Sequence, residues 1–174
     1  MEITKQTTVE QAIQLAPDCT CQACETGCKF GSGLLAHGDE KKLAGFLNIS
    51  EDKLKAEYLE EIELFNKTMH RPKVQRKSKD KPYGKCIFFD EKKKCTVHEA
   101  KPLQCRTAMP CKPYGEKLSI WFTLNYIIDP DDPESIRQWA TYLKTHPTIT
   151  GGELKDIVPD QERLQKILRY EILK

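Results

Sequence analysis

The sequence predicts an α+β fold that is mostly helical, with helices arranged around a small β-hairpin and an irregular, cysteine-rich centre. Three observations lead there. Apolar residues recur at helical spacing in five separate stretches. Two short β-like runs, Cys86–Phe89 and Cys95–Val97, flank a polar turn at Asp90–Lys94. All eight cysteines fall in two short segments, residues 19–28 and 86–111, separated by a cysteine-free span of 57 residues.

The first helix is expected over residues 8–16. Thr8 is a good N-cap, Gln11 stands at capping-box spacing, and Val9, Ala12, Ile13 and Ala16 form a stripe that Pro17 ends. The cysteine segment CTCQACETGC follows and reads as a loop, in which Gly27, Gly31 and Gly33 let the backbone wrap with N–H groups free to face sulfur. Asp39 opens a second helix with Leu43, Phe46 and Leu47 on one face. Ser50 caps a third, in which Leu54, Tyr58, Ile62 and Phe65 form a core stripe. Residues 67–85 are lysine- and arginine-rich and read as a solvated loop. After the hairpin, residues 101–113 carry Pro102, Pro110 and Pro113 and read as irregular. Leu118–Ile128 is the most apolar run, a buried strand or a buried helix. Helices are expected over 133–144, with Ile136, Trp139 and Leu143 inward, and from Asp160, with Leu164, Ile167, Leu168 and Ile172 on one side. The helical segments 39–65 and 133–173 are expected to pack around 118–128.

With 174 residues the chain suits a single domain over 1–174. Charged residues make up 31%, yet the net charge is only +2, which does not by itself call for nucleic acid or membrane. No run approaches the length of a membrane span, and the first residues lack the apolar core of a secretory signal, so a cytoplasmic protein is expected. In that compartment clustered thiols point to metal rather than to four disulfides.

The cysteines carry the chemistry. Cys21, Cys24 and Cys28 are spaced C-x2-C-x3-C, with Cys19 just before them. A C-x2-C turn points two sulfurs inward, and three local thiolates closed by a distant fourth are familiar in iron–sulfur proteins. Zinc ribbons use two separated C-x2-C pairs, and this chain has one. The spacing therefore favours an iron–sulfur cluster, [4Fe–4S], with zinc as the alternative. Cys86, Cys95, Cys105 and Cys111 can supply the fourth ligand, and eight thiols also allow two sites. Lys29 and Arg106, each next to a cysteine, are candidates to balance thiolate charge. His98, three residues after Cys95, reads as a neighbour of the site rather than a ligand, and His37, His70 and His146 read as surface residues.

CQACETGC, GKCIFFDEKKKCTVH and KPLQCR followed by Cys111 together resemble a known family, the YkgJ-like cysteine-cluster proteins with a zinc- or iron-chelating CxxCxxxCC domain. That family's pattern is an N-terminal cysteine cluster, then C-x-hydrophobic and C-x-[IV]-[HY], then a basic residue-Pro-x-x-Cys-Arg. The resemblance covers about residues 19–111 and leaves 118–174 as a helical extension. Where the family's first cluster often ends in adjacent cysteines, Lys29 follows Cys28 here, and Cys19 is the thiol available in compensation. The resemblance implies metal binding. One branch of the family includes a flagellin lysine N-methylase thought to carry an iron–sulfur cluster, which makes a protein-modifying enzyme the alternative. The residues do not add to that reading, since no glycine-rich S-adenosylmethionine loop and no nucleophile set is found. A third reading is a nucleic-acid-binding module built on Lys67–Lys94, which holds eleven Lys or Arg against three acidic residues. A solvated loop is favoured over it, and a protein partner stays open.

Overall fold

A computed structural model describes residues 2–78 and 80–174. It is α+β and mostly helical, with three two-stranded antiparallel sheets among the described residues. Helix α1 (Val9–Leu15) is capped as the sequence requires: the Thr8 hydroxyl accepts from the Gln11 N–H while the Gln11 side chain accepts from the Thr8 N–H. The cysteine segment is not a loop. It forms helix α2 (Gln22–Phe30), with Gly27 inside it and Cys21 at the N-cap. The spacing of three and then four residues between Cys21, Cys24 and Cys28 is the spacing of one helix face.

Helix α3 (Asp39–Leu47) buries Leu43 and Ala44, but Phe46 points outward and is 45% exposed. Ser50 caps α4 (Glu51–Tyr58), its hydroxyl accepting from the Lys53 N–H. The helix expected through Phe65 stops at Tyr58. Residues 59–64, LEEIEL, instead form strand β1 (Leu59–Leu64), with Glu60, Ile62 and Leu64 half-buried and Glu61 and Glu63 exposed, and it pairs with β2 (Lys67–Pro72). The two-residue turn between them, Phe65–Asn66, has φ of 50° and 62°, as a type I′ hairpin turn demands. The stretch expected as a solvated loop thus supplies β2 and β3 (Val74–Gln75).

Strand β3 pairs with β4 (Lys85–Cys86), and β5 (Phe89–Asp90) pairs with β6 (Lys94–Cys95). The predicted hairpin therefore exists, but Cys86 lies in a neighbouring sheet, opposite Val74. A short helix, α5 (Leu103–Thr107), occupies the middle of the proline-rich segment expected to be irregular. The apolar run is helical: α6 (Gly115–Phe122) continues into a π-turn over Thr123–Ile127, where the Ile128 N–H donates to the Thr123 carbonyl at 2.9 Å. Helix α7 (Pro133–Tyr142), α8 (Leu154–Ile157) and α9 (Gln161–Leu168) complete the chain. Asp132 caps α7 and Asp160 caps α9.

Two apolar clusters form rather than one. The larger joins Trp121, Phe122 and Ile127 to Ile136, Trp139, Leu164 and Ile167, so the carboxy-terminal helices do pack on the apolar run. Helices α3 and α4 do not. Leu43, Leu54 and Leu59 pack instead with Cys86, Phe88, Phe89 and Val97 in the second cluster, where Tyr58 stacks on Phe88. The cysteines sit where the clusters meet, Cys111 against the first and Cys28, Cys86 and Cys95 against the second.

Part of the basic stretch is engaged internally. Arg71 and Arg76 both bind the Glu60 carboxylate at 2.8 Å, Lys94 binds Glu25 at 2.9 Å, and Lys73 donates to the Ala56 carbonyl. Lys79, which belongs to that stretch, lies outside the described residues. Among the described residues no helix is long and apolar enough to cross a membrane.

Candidate metal centre

Four sulfurs, from Cys19, Cys21, Cys24 and Cys111, lie within 4.8 Å of one another. Cys24 donates to Cys111 at 3.5 Å, and Cys19 stands 3.9 Å from Cys111. Three of the four sulfurs come from the start of α2 and the residues before it. The fourth is about 90 residues away, and specific contacts bring it in. The Tyr114 hydroxyl donates to the Leu15 carbonyl at 2.8 Å, fastening the segment around Cys111 to the end of α1. The Trp121 indole N–H donates to the Thr7 carbonyl at 2.8 Å, fixing α6 to the same helix from its other end. Asp18, next to Cys19, accepts from Lys101 at 2.8 Å and pairs with His98 at 3.1 Å. Those two partners, Lys101 first, hold the Asp18 carboxyl down to about 2. His98 is thus engaged with a carboxylate beside the sulfurs.

The electrostatics within this quartet are uneven. The Cys24 backbone N–H facing Cys21, helped by the Cys19 thiol, lowers the Cys21 pKa to about 7. Burial, reinforced by the Cys111 thiol, raises that of Cys24.

The remaining four predicted residues come together elsewhere. Cys28 on the last turn of α2, Cys86 on β4, Cys95 on β6 and Cys105 on α5 line a cavity of about 350 Å³ that Cys19 and Cys24 also border. Burial raises the pKa of all four thiols, that of Cys86 to about 11. The sequence placed Cys28 with Cys21 and Cys24, and the structure separates it from them by a helical turn.

Residues beyond the cysteines hold this second group. The Asp39 carboxylate is buried and accepts from the Ala36 N–H at 2.8 Å and the Leu103 N–H at 2.7 Å, tying α3 to the first turn of α5. Gln104 accepts from the Leu34 N–H at 2.6 Å. Gly33 passes so close to Cys105 that a β-carbon there would lie 2.5 Å from its sulfur. Only the glycine was legible in advance, as a place where backbone can approach sulfur. Lys29, a candidate for charge balance, is drawn instead toward Glu25 and Glu91. Lys101 takes that part, drawing down the pKa of both Cys28 and Cys95 against the effect of burial. Arg106 does border the cavity.

A family model described as "CxxCxxCC: Putative zinc- or iron-chelating domain" matches residues 20–123. No curated protein and no solved structure matches the chain.

Proposed function

The chain belongs to the CxxCxxCC family of zinc- or iron-chelating domains, and we propose that Cys19, Cys21, Cys24 and Cys111 hold a single zinc ion with a structural role. One observation carries this reading: the mutual closeness of the four sulfurs. A zinc ion with bonds of about 2.3 Å in tetrahedral geometry places its sulfurs about 3.8 Å apart. The contacts of 3.5 and 3.9 Å to Cys111 match that spacing. A cubane cluster interposes irons and sulfides between its thiolates and needs a wider set, so the preference for iron–sulfur drawn from C-x2-C-x3-C does not extend to this quartet.

Four protein ligands close the coordination shell and leave no position for substrate, which is the arrangement of a structural site. Such an ion would clamp the start of α2 to the segment between Pro110 and Pro113, which has little apolar surface with which to hold itself. The test is the metal content of the full chain purified without oxygen. About one zinc per chain is expected, and Cys111→Ser should lower it at least fivefold. Zinc content unchanged in Cys111→Ser would refute the assignment.

A further inference from the structure

Two aromatic rings meet on the surface at the edge of the basic stretch. Phe30 ends α2 and is 57% exposed, and Tyr83 stands two residues before β4 and is 46% exposed. Their ring centroids are 6.1 Å apart and their planes are tilted by 58°. Of the three aromatic residues in Lys67–Lys94, Phe88 and Phe89 are buried, so only Tyr83 is available to a partner, and α2 supplies it with a neighbour. Both rings stand on paired backbone. The Gly84 N–H donates to the Phe30 carbonyl at 3.2 Å, joining the end of α2 to the start of β4. Gly84 itself passes so close to β3 that a β-carbon there would overlap the Gln75 carbonyl.

The charge around the pair is positive. Residues 71–85 hold seven Lys or Arg and one acidic residue, Asp80. Arg71 and Arg76 are taken up by Glu60, and Lys73 by the Ala56 carbonyl. Lys77, Lys81 and Lys85 form no salt bridge among the described residues. The Lys81 ammonium lies 5.6 Å from the centroid of the Tyr83 ring, so cation and ring are presented together. On the α2 side the carboxylates of Glu25 and Glu91 are already paired, with Lys29 and Lys94. Exposed rings beside unpaired cations suit an anionic polymer that also carries flat faces. Single-stranded nucleic acid is such a polymer, since its bases can stack while its phosphates meet ammonium groups. A duplex keeps its base faces stacked against each other, and an acidic peptide offers the charge without the rings.

We propose that Phe30 and Tyr83, with Lys77, Lys81 and Lys85, form a binding surface for single-stranded nucleic acid, the rings stacking on bases and the lysines neutralising phosphates. Phe30 lies at the opposite end of α2 from Cys21 and Cys24, so substitutions on this surface leave the sulfur quartet in place.

The full chain, purified without oxygen, is titrated into fluorescein-labelled oligothymidylate of about 15 nucleotides, a duplex of the same length and polyglutamate. The single strand should bind at about 50 mM salt and weaken about 20-fold by about 200 mM, because three lysines on phosphates give a slope of log affinity against log salt near −2. Lys81→Gln should make that slope shallower by about 0.7. Tyr83→Ala and Phe30→Ala should each weaken binding at least about fivefold without changing the slope, and Tyr83→Phe, which keeps the ring, should bind as wild type does. Melting temperature and zinc content of the ring variants should match wild type, since both side chains are exposed. In case Phe30→Ala does not fold, the Tyr83→Ala and Tyr83→Phe pair decides. No binding of the single strand at the lower salt overturns the proposal. Equal affinity for the duplex, or Tyr83→Ala binding as tightly as wild type, overturns it too, because lysine charge alone would then account for the binding. Polyglutamate bound as tightly as the single strand assigns the surface to an acidic protein instead. A chain that binds the strand but holds no zinc overturns the metal assignment alone.

Discussion

Replacing Asp39 with alanine tests how the second group of thiols is held. The carboxylate oxygen Oδ2 accepts two backbone N–H groups, from Ala36 at 2.8 Å and from Leu103 at 2.7 Å, and the residue is only 8% exposed. Alanine leaves both donors buried without an acceptor. Each orphaned buried N–H costs about 1–3 kcal/mol, so the pair should cost about 4 kcal/mol. For a chain of this size each kcal/mol corresponds to about 2–4 °C, so the melting temperature should fall by about 8–16 °C. Asparagine places a neutral oxygen where Oδ2 stands and can keep both bonds without the charge. Its loss should be about half, since charged hydrogen bonds exceed neutral ones by about 1 kcal/mol each. Because Leu103 begins the helix that carries Cys105, alkylation of the Cys105 thiol should quicken in the same order: wild type, Asn, Ala. Urea titration and thiol alkylation of the three proteins measure both quantities. A loss under about 1 kcal/mol for Asp39→Ala, or equal losses for the two variants, would refute the argument.

Two further outcomes follow from the same geometry. Gly33→Ala puts a β-carbon 2.5 Å from the Cys105 sulfur and 2.9 Å from its backbone nitrogen, so Cys105 must move. A destabilisation of about 1–3 kcal/mol is expected, read by denaturant melting. The pH response should differ between metal-free and loaded protein. In the metal-free chain burial keeps Cys86 protonated up to about 11. The folded state therefore binds more protons than the unfolded chain above the ordinary thiol range. Its stability is fully present below about pH 9 and is lost as pH rises toward 11. In metal-loaded protein the ligating thiols have given up their protons, so acid is what loosens the metal, and stability should rise with pH through the neutral range. Melting temperatures of both forms between pH 5 and about 11 check this, and parallel curves would contradict it.

The local grammar of the chain is visible in its residues. Thr8 with Gln11, Ser50, Asp132 and Asp160 mark helix starts because an N-cap needs only an oxygen within three residues of an unsatisfied N–H. The eight cysteines announce metal chemistry because no apolar periodicity explains their clustering. Where two local patterns competed, the sequence reading misjudged them. LEEIEL continues a helical stripe as easily as it begins a strand, and the Phe65–Asn66 turn, which closes a hairpin with β2, decides for the strand. C-x2-C-x3-C suits a knuckle or a helix face, and only α2 shows that it is a face serving two directions.

The grouping of the thiols belongs to tertiary structure alone. Cys111 reaches Cys19 because Tyr114 and Trp121 dock on α1, and Cys105 reaches Cys28 because Asp39 and Gly33 admit α5. The sequence by itself determined that thiols would gather, since ligand type and clustering are local properties. Which four share a centre depends on contacts between residues as much as about 110 positions apart, and no local spacing encodes them.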